Sequence, residues 1–229
     1  MHSAWDLRFS RIIPVSENEQ GVQNFRYEFR LPFHTIHGTG ISLGHRFRPD
    51  GQATSALKFN TADVLSPIGP GSGYWRYIPS EDGLRFITGY NYSPGMGPAG
   101  KVMDSWLFRP ALGWATAMSF DRLRMWAESG LHPRDSGTRW FLDAAVRAVG
   151  AVAAWLVLRR AVEQGHVAAA FTGVAVAGAA WLLPAHPTVP RAGRCLRNPP
   201  DLPSGRAPSA LAGLDAPPVA DPSLSGRGC

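Results

Sequence analysis

Charge is scarce in this chain. Only 17% of its 229 residues are charged, against about a quarter in an average soluble domain, so part of the chain is expected outside water. Cysteine is scarcer. Both cysteines, Cys195 and Cys229, fall in a Pro-rich tail, which excludes a disulfide framework for the core and gives no metal-site spacing. Lysine is nearly absent, with Lys58 and Lys101 the only two among 23 basic residues. The arginines are scattered singly. A net charge of +6 without a dense basic run suits an anionic membrane surface or plain solvation, and no nucleic-acid partner is expected. The first eight residues lack an apolar core, so no cleavable signal peptide is expected.

What is present changes along the chain. Residues 5–93 read as strands. In Phe25–Leu31 the apolar Phe25, Tyr27, Phe29 and Leu31 alternate with Arg26, Glu28 and Arg30, the period of an antiparallel strand with one wet face. Further strands are expected at 7–13, 36–47, 53–60, 72–78 and 84–92. Turn chemistry separates them: Pro49-Asp50-Gly51, Pro67 to Gly73, and the hairpin signal Glu81-Asp82-Gly83. The glycines at 69, 71, 73, 95 and 97 read as turns, because no strand–loop–helix context makes them a phosphate cradle. Strands in series without interleaved helices predict an antiparallel meander.

From 99 to 128 apolar residues recur at helical spacing, and Pro110 should kink or split that helix near Arg109. Two apolar runs follow. Residues 140–158 are uncharged except for Asp143 and Arg147, spaced i,i+4 and able to pair. Residues 167–183 carry no charge, close to the lower length limit for a spanning helix. Small residues Ala169, Gly173 and Ala177 face a matching Gly150 and Ala154, as close helix packing in lipid prefers. The expected organisation is a domain over 1–133, a two-helix membrane hairpin over 138–184 (spans about 140–158 and 166–184), and a disordered Pro-rich tail over 185–229. Arg134, Arg139, Arg191, Arg194 and Arg197 outnumber Arg159 and Arg160 in the connecting loop, which places both ends in the cytoplasm. His166 and His186 bracket the second run and are expected at the interface.

Certain segments resemble a known family. Trp5-Asp6-Leu7-Arg8-Phe9, Gly71 to Pro79 with its Tyr74-Trp75-Arg76-Tyr77-Ile78, Phe108-Arg109-Pro110, and Ser119 to Arg124 resemble bacterial members of the SRPBCC (START/polyketide cyclase) superfamily, over about residues 4–130. The resemblance implies an α+β helix-grip fold, in which a meander is closed by a long kinked C-terminal helix. It also implies a first strand and two short helices upstream of Trp5, whose loss would leave the strand at 84–92 without an outer partner. In such a fold the concave face holds an apolar pocket with a few polar groups. Alternation and helical spacing nominate Tyr27, Phe29, Leu57, Phe59, Trp75, Tyr77, Phe86, Thr88, Tyr90, Met103 and Leu107 as its lining. His34, His37 and His45 lack a completing Cys, Asp or Glu nearby and read as solvated or capping residues, so no metal or cofactor is expected. Asp121 and Arg122 could serve cyclase chemistry, but read better as a solvated surface cluster with Arg124.

The leading expectation is a membrane-tethered, non-catalytic binding or carrier module for a hydrophobic small molecule or lipid. An aromatase/cyclase-like enzyme on a polyketide-type substrate rests on the superfamily resemblance alone. The third reading is a structural membrane protein whose sheet binds another protein.

Overall fold

In the computed structural model residues 2–219 are described, and they form two compact units: residues up to Thr116 with those from Leu196 onward, and Ala117–Cys195. Cys229 and the end of the tail lie outside the described residues.

The first unit is built on one antiparallel sheet of β1 (Arg11–Glu17), β2 (Val22–Arg30), β3 (Thr35–Phe47), β4 (Ala53–Asn60), β5 (Ile68–Ser80) and β6 (Gly83–Pro94). Its strand order follows the chain, so it is a pure meander. Gly51 and Gly83 take positive φ in the turns foreseen there. Among the described residues β6 pairs with β5 and β1 with β2, and these two are the outer strands.

Two expectations about the strands are corrected. The segment at 7–13 is not a strand throughout: α1 (His2–Trp5) precedes it and β1 begins at Arg11. The cause is Asp6, whose carboxylate accepts the Arg8 backbone N–H and its guanidinium and so curls the chain. The glycines at 69, 71 and 73 are not turns but lie inside β5. Aromatic rings lie over Gly71 and Gly73, whereas a Cβ on Gly69 would meet the Ser93 carbonyl oxygen at 3.0 Å. A Cβ on Gly73 would meet the Tyr90 ring at 2.6 Å, and one on Gly38 the Tyr27 ring at 2.1 Å. Gly71 has the least room to adjust, because its Cβ would meet Phe59 Cζ at 2.4 Å and also the Asn91 carbonyl oxygen at 2.6 Å. A ring can swing, whereas a ladder carbonyl cannot without breaking β5 from β6. Gly71→Ala is therefore expected to destabilise the protein by about 1–3 kcal/mol. Gly113→Ala, whose Cβ would find its nearest neighbour at 3.5 Å, should be neutral or slightly stabilising in chemical denaturation.

After β6 come α2 (Gly97–Met103), a π-helical turn (Asp104–Phe108) and α3 (Arg109–Ser129). The foreseen break at Pro110 takes this form. Proline lacks an N–H and crowds the carbonyl four residues back, and widening the preceding turn to i→i+5 accommodates it. The Arg109 N–H accordingly reaches the Asp104 carbonyl.

The second unit holds the C-terminal part of α3, then α4 (Pro133–Gln164), α5 (Val167–Leu182) and the segment to Cys195. Pro133 opens α4, where no N–H is missed, and the His132 ring nitrogen accepts the Arg134 N–H. Gly165, at φ 67°, ends α4 in the left-handed cap that turns the chain into α5. The two helices pack antiparallel through small residues. Gly173 lies against the Ala154 carbonyl and Leu158, and Gly150 against Ala180. Arg147 pairs with Asp143 and donates to the carbonyls of Ala180 and Leu183, supplying donors to acceptors that α5 leaves open at its end. Outward, Phe141, Val149, Trp155, Phe171 and Trp181 are exposed. Among the described residues α4 is the one helix long and apolar enough to cross a membrane. α5, at 16 residues, is about 24 Å long.

Candidate functional site

The register places nine of the eleven nominated residues on one sheet face. Tyr27 stands opposite Gly38 and Phe29 opposite Ile36; Phe59 is flanked by Gly40 and Gly71, and Leu57 by Ser42 and Gly73. Trp75 faces Thr88, Tyr77 faces Phe86, and Tyr90 faces Gly73. Met103 closes α2 half-buried and Leu107 lies exposed in the π turn, so neither belongs to this strand row.

The row is divided by a segment whose role was not legible in the sequence. His2 stacks on Trp75 with ring centroids 5.2 Å apart, Phe9 meets Tyr27 at 5.7 Å, and the Arg8 guanidinium lies 4.7 Å over the Tyr90 ring. The Trp75 indole N–H donates to the Tyr90 hydroxyl at 3.2 Å. Residues 2–9 thus cover the part of the face that carries Tyr27, Trp75 and Tyr90. Their anchor is Asp6, 2% exposed, which accepts Arg8 Nη2 at 2.7 Å and Nε at 2.9 Å and contacts His2 at 2.9 Å. Burial opposes its charge, but the Arg8 and His2 hydrogen bonds overcome that and hold the carboxyl well below the usual range. The spacing Asp-x-Arg between two aromatics, Trp5 and Phe9, was the available signal.

The other end of the row is open. Tyr77 stacks on Phe86 at 4.9 Å, Phe86 meets Trp75 at 5.6 Å, and His45 lies 5.1 Å from Tyr77. Phe47, 79% exposed, extends this group beyond His45. Burial first, then Tyr90, pushes the Tyr77 phenol up to about 12, so it stays a neutral donor and acceptor at physiological pH. Thr88 gives its hydroxyl hydrogen to the Tyr74 carbonyl. His34 hydrogen-bonds Asp63 at 2.7 Å and His37 is exposed.

A polar junction ties β6 to the helix beyond it. The Tyr92 hydroxyl donates to Asp104 at 2.6 Å, and Arg109 grips the second carboxylate oxygen at 2.7 and 3.1 Å. Residues five apart point different ways on an α-helix, but one π turn aligns them. The Tyr92 and Arg109 hydrogen bonds lower Asp104, and burial followed by Asp104 pushes Tyr92 up to about 12.

The opposite sheet face is covered by the tail. For 185–229 the composition predicts disorder, yet residues 196–219 lie on the face that carries Ile41, Ala56, Tyr74 and Arg76. Leu214 is buried with Ile41 and Ala56, and Lys58 and Thr39 donate to the carbonyls of Leu214 and Pro218. The Tyr74 hydroxyl donates to the Gly205 carbonyl, and buried Arg76 to the carbonyls of Pro203 and Arg206, all at 2.9 Å. Prolines withhold N–H donors, so a Pro-rich strap offers carbonyls that a basic strand face can satisfy. Replacing Arg76 with Leu removes two charge-assisted bonds worth about 1.5 kcal/mol each. Tryptic cleavage at Arg206 should then accelerate by at least about tenfold.

In the second unit Asp121 is not solvated, contrary to the expectation for it. It is 1% exposed and accepts the Arg191 N–H at 2.7 Å, Arg194 at 3.0 Å, and Arg124 at 2.9 and 3.0 Å. Arg122 is buried and donates to the Pro133 carbonyl. Arg191 and Arg194 come from 184–195, a stretch that sequence periodicity could not assign to α3.

Comparison with known proteins adds one membrane protein. Over 136 residues the chain is 43% identical to "Uncharacterized membrane protein YndG" of Bacillus subtilis (strain 168). The match covers 58% of this chain and 51% of that protein, so the chain spans about half the length of the curated relative it matches. No family model matches the chain, and no solved structure matches it.

Proposed function

We propose that the chain is a membrane-tethered binding or carrier module for a hydrophobic small molecule or lipid. The observation that carries this reading is the open end of the aromatic face, where Phe86, Tyr77, His45 and Phe47 offer ring surface beside a neutral phenol. Apolar walls with a few polar tips are what small-molecule sites require. In this reading the domain is SRPBCC-like. α4 and α5 form a two-helix membrane hairpin, and the excess of arginine at its open end keeps both chain ends cytoplasmic. The membrane part is supported by the apolar surface of α4 and α5 and by the name of the relative. The cyclase alternative loses a candidate group, since both Asp121 oxygens are taken.

Native mass spectrometry of the full-length protein in mild detergent tests the ligand. A co-purifying apolar molecule, lost in a Tyr77→Ser/Phe86→Ser double variant, is the expected result. No bound molecule, together with no thermal shift across a lipid panel, would overturn the reading.

A further inference from the structure

The second unit contains a cleft of about 430 Å³ between the end of α3 and the chain that leaves α5, lined among others by Arg124, Glu128, Ser129, Pro187, Thr188 and Arg194. This is a ligand-sized volume. Its walls carry both signs. Arg194 spends Nη1 on Asp121 and the Val189 carbonyl, and its Nε and Nη2 make no hydrogen bond among the described residues. Arg124 binds Asp121 and Glu128, but Nη1 and Nη2 each carry a second N–H. The acceptors are Glu128 and two hydroxyl oxygens. Ser129 gives its hydrogen to the Met125 carbonyl and Thr188 lies against His186 Nδ1, so lone pairs on both oxygens remain.

Two guanidiniums are balanced by Asp121 and Glu128, a sum of zero. An anionic ligand would find no net attraction there, whereas a ligand carrying a phosphate and an ammonium finds donors for one and acceptors for the other. The wall at Pro187 and Thr188 lies within six residues of the last residue of α5, Leu182. We propose that this cleft binds the phosphate-and-amine headgroup of a zwitterionic phospholipid, an assignment that rests on the membrane reading above.

The test is titration of the detergent-solubilised full-length protein with dihexanoyl phosphatidylethanolamine, dihexanoyl phosphatidylglycerol and soluble phosphoethanolamine. Saturable binding is expected for the ethanolamine lipid, weaker binding for the glycerol lipid and for the soluble headgroup. Glu128→Gln should weaken the ethanolamine lipid by about tenfold, the loss of one charge-assisted contact, and strengthen the glycerol lipid, because the cleft then carries a net positive charge. Arg124→Gln should weaken both. Equal binding of the two lipids, or no response to Glu128→Gln, overturns the headgroup assignment. Phosphoethanolamine binding as tightly as the lipid overturns its lipid part. Alkaline carbonate washing separates this from the membrane reading: protein that stays in the pellet without headgroup preference refutes the cleft alone, and protein that is released refutes the tether.

Discussion

Asp6→Ala is expected to cost about 4 kcal/mol, because it leaves the Arg8 guanidinium buried and without its counter-charge. The Arg8 side chain is 8% exposed and Asp6 wholly buried, so solvent offers little relief. The loss should appear in denaturant midpoints of the full-length protein, with His2 and Phe9 released from Trp75 and Tyr27. The same group sets an acid limb. The folded carboxyl titrates well below the ordinary value of 3.8, so its contribution is complete above that value. It is lost as pH falls from there through the folded pKa. Asp6→Asn should flatten that limb while leaving the slope above pH 5 unchanged. An unaltered acid limb would mean that the pair contributes nothing.

Asp121→Ala should cost about 3 kcal/mol, the lower part of the range for breaking a buried pair. Arg124 stays partly in solvent and softens the loss, whereas Arg194 and the Arg191 N–H lose their acceptor. Thermal unfolding in detergent measures it. Glu128→Ala removes only an exposed partner of Arg124 and should cost under about 1 kcal/mol. Equal effects of the two substitutions would show that Asp121 holds nothing together.

The sheet was legible because its code is local. Period-two alternation at 25–31 and the turn residues at 49–51 and 81–83 lie within a few positions of what they specify, and they placed β2 to β4 and β6 to within a few residues. The register confirms that the nominated strand aromatics share one face. What could not be read depends on distant partners. Gly71 is a strand residue only because the Phe59 ring folds over it, and Asp6 reverses its chain only because Arg8 is trapped on Tyr90. The strap at 196–219 has a composition without a core of its own. Its order comes from Arg76, Tyr74 and Lys58, more than 120 residues earlier. The aligned Asp104 and Arg109 needed the π turn, which Pro110 signals only as a break.

Cysteine labelling in intact bacterial cells tests the tether and its topology in one measurement. Gln164→Cys lies at the turn between α4 and α5 and Gly193→Cys, exposed, beyond α5, each in a chain whose Cys195 and Cys229 are replaced by Ser. With an impermeant maleimide, position 164 should label in intact cells and position 193 only after permeabilisation. Protection of both positions until the cells are opened, in protein that alkaline carbonate then releases, would contradict a membrane hairpin.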